Sequence, residues 1–388
     1  MEEIDFSNCQ RNARTYNGAN GSKIGVYYND ENYMLKFPPK PKKNIELSYA
    51  NSCISEYVSC KILKTLGLNS QDTMLGKYNN KIVVACKDFR KTNEIFADFA
   101  SLKNTIIESS SGGYDTELSD ILETIDTQEQ LNIKNDEMKQ FFWNMFIADS
   151  LLGNFDRHNG NWGFLINETD NIHMIAPIYD CGSCLYPQAD ENLMRKILTN
   201  RDELEQRIYI YPTSAIKYQN VKINPYHFLL NTDNLDCIKA LQTITSRIDL
   251  IRIKEIIENT PYISDLHKEF LFTMVKERKN KILDVAVEKH FSSIRNEELL
   301  LEAINFQDDK TLFSNKKKEI LMKNRTLNIL KIKAEKFIDK ITGRNQILPF
   351  TVGVDKEEPE KPKELTEDDY LPYNAATGQY RAGYKPKK

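Results

Sequence analysis

The spacing of apolar residues changes along this chain, and that change constrains the fold more than any other feature. In the first ninety residues the apolar positions come in short runs separated by tight polar turns. From about residue 224 they recur every three or four residues. The first pattern predicts a small sheet and the second a set of helices. Residues 23–37 predict a β-hairpin: Lys23-Ile-Gly-Val-Tyr-Tyr, a polar turn at Asn29-Asp30-Glu31-Asn32, then Tyr33-Met-Leu-Lys36-Phe37, stopped by Pro38-Pro39. Ile54, Val58, Ile62 and Leu66, four apart and ended by Gly67, predict a helix. A second hairpin follows, Thr73 to Tyr78 and Lys81 to Cys86 around Asn79-Asn80.

The middle of the chain mixes both patterns. The stretch 101–136 is polar and contains Ser109-Ser-Ser-Gly-Gly113, and a strongly apolar helix is expected from Met138 to Leu152. A loop at 153–161 leads into a strand, Trp162 to Ile166, a turn at 167–171 and a second strand, His173 to Ile178. Helical spacing then marks Asp236–Ile248, Leu250–Asn259, Ile263–Val287 and Lys316–Ile341. These patterns divide the chain into a sheet-bearing unit at 1–90, a helical unit at 91–345 with its boundary near 88–100, and a tail at 346–388. The tail is charged, Pro-bearing and poor in aliphatic residues, so it is expected to be flexible. Its anchors, Tyr370, Leu371, Tyr373, Tyr380 and Tyr384, leave room for a docking segment.

Composition excludes several classes. With 53 Lys and Arg against 56 Asp and Glu the net charge is −3, so no global field favours nucleic acid or an anionic membrane. No run of about 18 apolar residues exists, and Met1-Glu-Glu3 lacks the basic start of a secretion signal. Seven scattered cysteines resemble reduced thiols more than a disulfide framework. The expectation is a cytoplasmic protein with no membrane span and no direct nucleic-acid binding.

The chemistry is concentrated in Asp156-Arg-His-Asn-Gly-Asn161 and in Tyr179-Asp180. Phosphoryl transfer from ATP needs a carboxylate to orient the acceptor hydroxyl, oxygen ligands for Mg²⁺ and a lysine on the phosphates. A bare D-x-x-x-x-N is a weak signal. Here it follows an apolar helix and precedes a hairpin that ends in Asp180, 24 residues after Asp156. A returning hairpin brings Asp180 beside Asn161 as a metal pair and leaves Asp156 free as base. Lys36, late in an apolar strand, and Glu56, on the next helix, fit the same chemistry, although Glu46 is an alternative partner for the lysine. Gly18, Gly21 and Gly25 permit close backbone approach to a triphosphate.

These strings resemble the HipA-type serine/threonine kinases, above all their CtkA-like branch, over roughly residues 10–300 and most strongly at 18–37 and 150–187. The Asp-Arg-His-x-x-Asn loop is also similar to that of phosphatidylinositol 3/4-kinases. The resemblance implies an α+β, bilobal protein-kinase-like fold with a small antiparallel N-lobe carrying one helix and a mostly helical C-lobe. It implies ATP and Mg²⁺ as cofactors, Lys36 on the α- and β-phosphates, Glu56 paired with it, Asp156 as base, and Asn161 with Asp180 on the metal. Lys87, Asp88 and Phe89 become the hinge that reads adenine. Ser22, the serine of Gly18-Ala-Asn-Gly-Ser22, becomes a candidate autophosphorylation site in the glycine loop. A protein substrate with a Ser or Thr acceptor and an antitoxin-like partner follow from the same resemblance, as in toxin–antitoxin pairs.

The chain departs from ordinary protein kinases in lacking His-Arg-Asp, Asp-Phe-Gly, Ala-Pro-Glu and G-x-G-x-x-G. Its glycine loop begins by about residue 16, so the N-terminal extension of longer HipA proteins is expected to be missing. A lipid or small-molecule kinase and a nucleotide-binding pseudokinase remain open alternatives. His158 is expected to hold the shape of its loop. Cys181-Gly-Ser-Cys184 permits a zinc or redox reading, against which stands the lack of a second ligand pair. Lys217 follows the metal Asp, where it is either an exposed lysine or a contact to transferred phosphate.

Overall fold

The computed structural model describes residues 3–14, 16, 22–39, 50–107 and 111–291, together with two short strands at Tyr373–Asn374 and Gln379–Tyr380. Gly18, Gly21, Glu46, the expected helix at 316–341 and the side chains of the tail lie outside the described residues.

Four antiparallel strands form the first sheet: β1 (Lys23–Tyr28), β2 (Glu31–Lys36), β3 (Thr73–Tyr78) and β4 (Lys81–Lys87), in the order β1-β2-β4-β3. Both expected hairpins close through two-residue turns. Asn29 and Asp30, and likewise Asn79 and Asn80, all take positive φ near 50–60°, the conformation that suits the right-handed twist of the flanking strands and that Asn and Asp tolerate. Helix α1 (Ser52–Thr65) lies between the hairpins in sequence and contacts β3 and β4.

Strand alternation divides the sheet's side chains between two cores. Val26, Leu35, Val83 and Ala85 gather around Phe6 on one face. Leu75, Val84 and Cys86 face the other way and join Ile54, Val58 and Ile62 of α1 in the main core. One row of paired residues crosses the sheet on this α1 side: Lys23 opposite Lys36, Lys36 opposite Val84, and Val84 opposite Leu75.

A second, three-stranded sheet is built from β5 (Ile95–Asp98), β6 (Gly163–Asn167) and β7 (Ile172–Ile175). The hairpin β6–β7 was expected. Strand β5 lies where the sequence suggested only a boundary, and it approaches so closely that a Cβ on Gly163 would sit 2.2 Å from the Ala97 carbonyl. The polar stretch 101–136 holds helices α2 (Phe99–Ile106) and α3 (Leu118–Thr127). Their apolar stripes, Phe99 with Leu102 and Leu118 with Ile121 and Ile125, are narrow and buried, which masked them in a polar sequence.

Helix α4 (Asn135–Leu152) is buried around most of its circumference through Phe142, Trp143, Met145, Phe146, Ile147 and Leu151. Such a helix forms the centre of a core rather than its surface. It ends at Gly153, whose φ of +64° is the left-handed conformation that glycine adopts without cost. That reversal launches the 153–161 loop. Trp162 anchors the loop's far end by stacking on Phe99 with ring centroids 4.0 Å apart.

The rest is helical: α5 (Glu191–Thr199), α6 (Arg201–Tyr209), then after a small hairpin β8–β9 (Lys217–Tyr218, Val221–Lys222) α7 (Pro225–Asn231), α8 (Leu235–Ser246), α9 (Leu250–Glu258) and α10 (Asp265–Arg278). The single helix expected at 263–287 is interrupted by a π turn at Lys279–Leu283. Side-chain caps from Asp190, Asn200, Asn224, Asn234, Asp249 and Ser264 explain why six helices start where they do. Among the described residues no helix is long and apolar enough to cross a membrane.

Candidate active site

A cavity of about 760 Å³ is lined by Lys36 and Glu56 from the first sheet and α1, by Asp156, His158 and Asn161 from the loop after α4, and by Asp180. The sequence separates these groups by more than 140 positions, and the fold brings them together. Lys36 Nζ lies 2.9 Å from Glu56 Oε2 and 2.9 Å from Asp180 Oδ1. Burial opposes the Lys36 charge, but Asp180 and Glu56 outweigh it and hold the ammonium well above the ordinary lysine range. Lys36 in turn holds Asp180 down to about 2. Glu56 is only 1 % exposed, and burial pushes its carboxyl up against the pull of Lys36.

Asp180 has a φ of 55°, a left-handed conformation that Asp adopts more readily than most residues. Its neighbours fix that geometry on both sides. The Tyr179 carbonyl accepts from Arg157 Nη1 at 2.5 Å, and the Tyr179 hydroxyl donates to the Gly160 carbonyl at 2.6 Å. On the other side the Cys181 N–H donates to Glu56 Oε1 at 3.1 Å. Glu56 therefore serves the lysine with one oxygen and the backbone beside Asp180 with the other. This second duty gives a physical reason for a carboxylate at position 56.

Asp156 is held by its own backbone. Its N–H donates to Asn154 Oδ1 at 3.0 Å, and its carbonyl accepts from the His158 N–H and from Asn161 Nδ2, each at 2.8 Å. The carboxylate is left facing the cavity, and burial raises its pKa above the ordinary aspartate value. His158 has the loop-shaping role expected of it: its Nδ1 accepts from the Gly160 N–H at 3.0 Å.

Sequence reasoning missed the clamp beneath this loop. Arg157, 2 % exposed, donates from Nε to Asp149 Oδ2 at 2.9 Å and from Nη1 to the Asn161 carbonyl at 2.7 Å as well as to Tyr179. Asp149, on α4, also accepts from Asn154 Nδ2 at 2.9 Å. One guanidinium thus ties α4, the Asp156 loop and the segment before Asp180 together. The available signal was the arginine itself, a fixed fork of donors next to the candidate base, with a carboxylate two helical turns upstream.

The three residues expected at the hinge have different surroundings. Lys87 does not line the cavity: its ammonium pairs with Glu31 at 2.9 Å, its N–H donates to the Asp72 carbonyl, and its carbonyl accepts from Gln71 Nε2. As a strand residue opposite Tyr33 it has its backbone committed. Asp88 and Phe89 do line the cavity. The Asp88 N–H donates to the Asn32 carbonyl, and its carboxylate, held down to about 2, accepts from Arg14, Arg90 and Tyr16. Burial opposes that shift, and the hydrogen bonds from Arg90 and Arg14 outweigh it. The Phe89 ring packs on Phe96 and Tyr179, forming an aromatic wall.

Ser22 is exposed, and its carbonyl accepts from the Phe37 N–H at the head of β1. Gly25 is buried against Asn12 in the sheet. Lys217 pairs with Asp115 at 2.8 Å. All seven cysteines are free thiols. Glu56, Cys60 and Cys181 bring three possible ligand atoms within 4.8 Å of one another. Both oxygens of Glu56 are already engaged, and the Cys181 sulfur accepts from Arg157 Nη2 at 3.5 Å, so the group is part of a hydrogen-bonded core.

The ligands that a divalent cation of the magnesium type prefers are hard oxygens. Asp180 offers an ionised carboxylate 39 % exposed to the cavity, and Asn161 an amide oxygen on the same wall. The residues present fit such an ion.

The fold and this cleft define a phosphotransferase with a lysine, a buried helix carboxylate and paired loop carboxylates. The family model for the HipA-like C-terminal domain matches residues 17–245. The chain is 56 % identical over 288 residues to serine/threonine-protein kinase CtkA of Helicobacter pylori (strain J99 / ATCC 700824), covering 74 % of this chain and 88 % of that protein. It is similar to the crystal structure of a Helicobacter pylori proinflammatory kinase CtkA, with a TM-score of 0.71 and 54 % identity over 75 % of this chain and 98 % of that one. A weaker likeness, TM-score 0.43 and 15 % identity over 71 % and 68 % of the two chains, is to HipA of Shewanella oneidensis MR-1 in a complex with HipB and operator DNA. The chain belongs to the HipA-like family, and it is an enzyme of the serine/threonine-protein kinase class.

Proposed function

We propose that this kinase moves the γ-phosphate of ATP to a serine or threonine hydroxyl of a protein, with the residues of the cleft acting as follows. Asp156 accepts a hydrogen bond from the acceptor hydroxyl and takes its proton as the oxygen attacks phosphorus. The bond from the γ-phosphorus to the β–γ bridging oxygen breaks, and ADP leaves. A carboxylate raised by burial is a better proton acceptor than a solvated one, while its three backbone hydrogen bonds hold it still. Lys36 binds the α- and β-phosphates, and Glu56 keeps it extended into the cleft. Asn161 and Asp180 would hold Mg²⁺, which when bound draws negative charge from the phosphate oxygens. Asp88 and Phe89, with the aromatic wall behind them, border the base.

One observation carries the reading. Lys36 reaches Glu56 and Asp180 at the same 2.9 Å from strands and loops far apart in sequence, in a cavity that Asp156 and Asn161 also line. Catalysis on such a site comes from positioning and charge neutralisation.

In the same proposal residues 1–90 act as the N-lobe, 91–345 as the C-lobe and 346–388 as the tail. Ser22, exposed one residue before β1, is the autophosphorylation site. Family membership supports an antitoxin-like protein partner. Seven free thiols support a reducing, cytoplasmic setting.

The test is incubation with γ-labelled ATP and Mg²⁺, alone and with cell lysate, followed by site mapping. Label on serine or threonine is the expected result, with Ser22 labelled in the protein alone. Label confined to lipid or small molecules would move the acceptor to another class, and ATP binding without any transfer would make the chain a pseudokinase.

A further inference from the structure

The small hairpin β8–β9 is tied to the loop that carries Asp156. Asn159 Nδ2 of that loop donates to the Gly113 and Asp115 carbonyls at 2.8 and 2.7 Å. The next residues of the same segment hold the hairpin: the Lys217 N–H donates to the Thr116 carbonyl at 2.9 Å, and Thr116 Oγ1 donates to the Ala215 carbonyl at 2.6 Å. Glu117 accepts from the Gln219 and Asn220 N–H groups at 2.8 Å each. Those two residues form the tip with φ of 54° and 65°, the paired left-handed turn that suits a twisted hairpin. An exposed hairpin is thus held in a fixed place beside the Asp156 loop.

Lys217 and Lys222 lie opposite each other in this hairpin and so share a face. Lys217 is paired with Asp115 at 2.8 Å. Lys222 is exposed, does not line the nucleotide cavity, and forms no ion pair among the described residues. Its charge nevertheless reaches Asp156: burial and Asp180 raise that carboxyl, while His158, Arg157 and Lys222 pull it down. Arg157 is buried beneath the loop and His158 shapes it from within. Lys222 is therefore the cation that faces Asp156 from the exposed surface.

A serine or threonine of a protein reaches Asp156 with its flanking residues left outside, because a cavity of about 760 Å³ that takes a nucleotide has no room for a polypeptide as well. We propose that Lys222 is a specificity-determining residue, pairing with an Asp or Glu that lies within about three positions of the acceptor hydroxyl, a reach of about 10 Å along an extended chain. An acidic neighbour is drawn to the ammonium and a basic one is repelled, so a single charge selects for one substrate and against the other. The inference rests on the reading of Asp156 as the base that meets a protein hydroxyl.

The experiment measures kcat/KM of the full chain with Mg²⁺ and ATP on serine peptides alike except for one Asp, Ala or Lys, placed in turn at each position near the acceptor. Wild type is compared with Lys222→Arg and Lys222→Glu. Wild type is expected to favour Asp over Lys by about tenfold at the best position, equivalent to about 1.4 kcal/mol, and this preference should shrink as salt is raised. Lys222→Arg should keep the order, and Lys222→Glu should reverse it. Each preference is a ratio within one preparation, so any loss of folded enzyme cancels. Equal kcat/KM for the Asp and Lys peptides in wild type, or an unchanged order in Lys222→Glu, would overturn the assignment and leave the kinase reading standing. Transfer to none of the peptides would overturn the reading of the acceptor as a protein hydroxyl at Asp156, and the assignment with it.

Discussion

Replacing Arg157 by Met separates two duties that the structure gives to one side chain. The guanidinium pairs with buried Asp149 and also donates from one nitrogen to the Asn161 and Tyr179 carbonyls. Removing it strands the Asp149 carboxylate in the core with the Asn154 amide as its remaining donor among the described residues. Breaking a buried ion pair in this way costs about 3–5 kcal/mol, a large fraction of the roughly 5–15 kcal/mol that holds a domain folded. Adding Asp149→Asn removes the stranded charge. The double variant should regain about that 3–5 kcal/mol, leaving the cost of two unsatisfied carbonyls, about 1–3 kcal/mol each. Turnover should not recover with stability, because the guanidinium's tie between the Asp156 loop and the segment before Asp180 is gone and only the Tyr179 hydroxyl on the Gly160 carbonyl is left of those described. Urea unfolding midpoints and steady-state phosphate transfer on wild type, both single variants and the double variant give the cycle. If the double variant regained wild-type turnover along with stability, Arg157 would be a structural ion pair and the positioning argument would be wrong.

Other perturbations test other parts. Glu56→Gln keeps an oxygen for the Cys181 N–H but removes the charge facing Lys36, so ATP affinity should fall roughly tenfold to a hundredfold, the worth of a charge-assisted hydrogen bond. Isothermal titration checks it, and unchanged affinity would detach Glu56 from the phosphate site. Asp180→Ala should weaken Mg²⁺-dependent ATP binding as well as turnover, read by comparing titrations with and without Mg²⁺. Burial lowers the His267 pKa to about 4. A histidine whose folded pKa lies below its unfolded value of about 6.5 keeps its full stability contribution above that value and loses it as pH falls toward 4. Stability should therefore drop by up to about 3 kcal/mol between pH 6.5 and 4 through this residue, and His267→Gln should flatten that window in urea titrations. Asp180 works in a lower window: its depressed pKa stabilises above about 3.9 and is lost only as pH approaches 2.

Much of the fold was legible because local chemistry and tertiary structure agree. Asn29-Asp30 and Asn79-Asn80 are turn residues by conformation, and the alternation around them survives unaltered in the sheet. The apolar run before Leu152 reads as a buried helix because it is one. Helices α2, α3, α5 and α6 were not legible, since each buries a thin stripe and gains its start from a cap or from tertiary contacts rather than from an apolar pattern. Asp156, Asn161, Asp180, Lys36 and Glu56, singled out from phosphate chemistry and the family resemblance, line one cavity. Arg157 was overlooked because it acts through buried backbone carbonyls that a sequence does not display. Lys87, placed in the hinge by the resemblance, ends β4 with its backbone N–H and carbonyl bonded, while Asp88 and Phe89 line the cavity.

The central claim is that Asp156 is the base and Asp180, Asn161 and Lys36 hold the transferred group in place. Single-turnover transfer from γ-labelled ATP by Asp156→Asn, beside a titration of ATP into the same variant, tests it most directly. The account predicts that transfer falls by two orders of magnitude or more, the usual worth of a positioned proton acceptor, while ATP affinity stays within about threefold of wild type, which is under about 0.7 kcal/mol. Transfer at the wild-type rate with ATP still bound would show that another group takes the proton and would contradict the assignment.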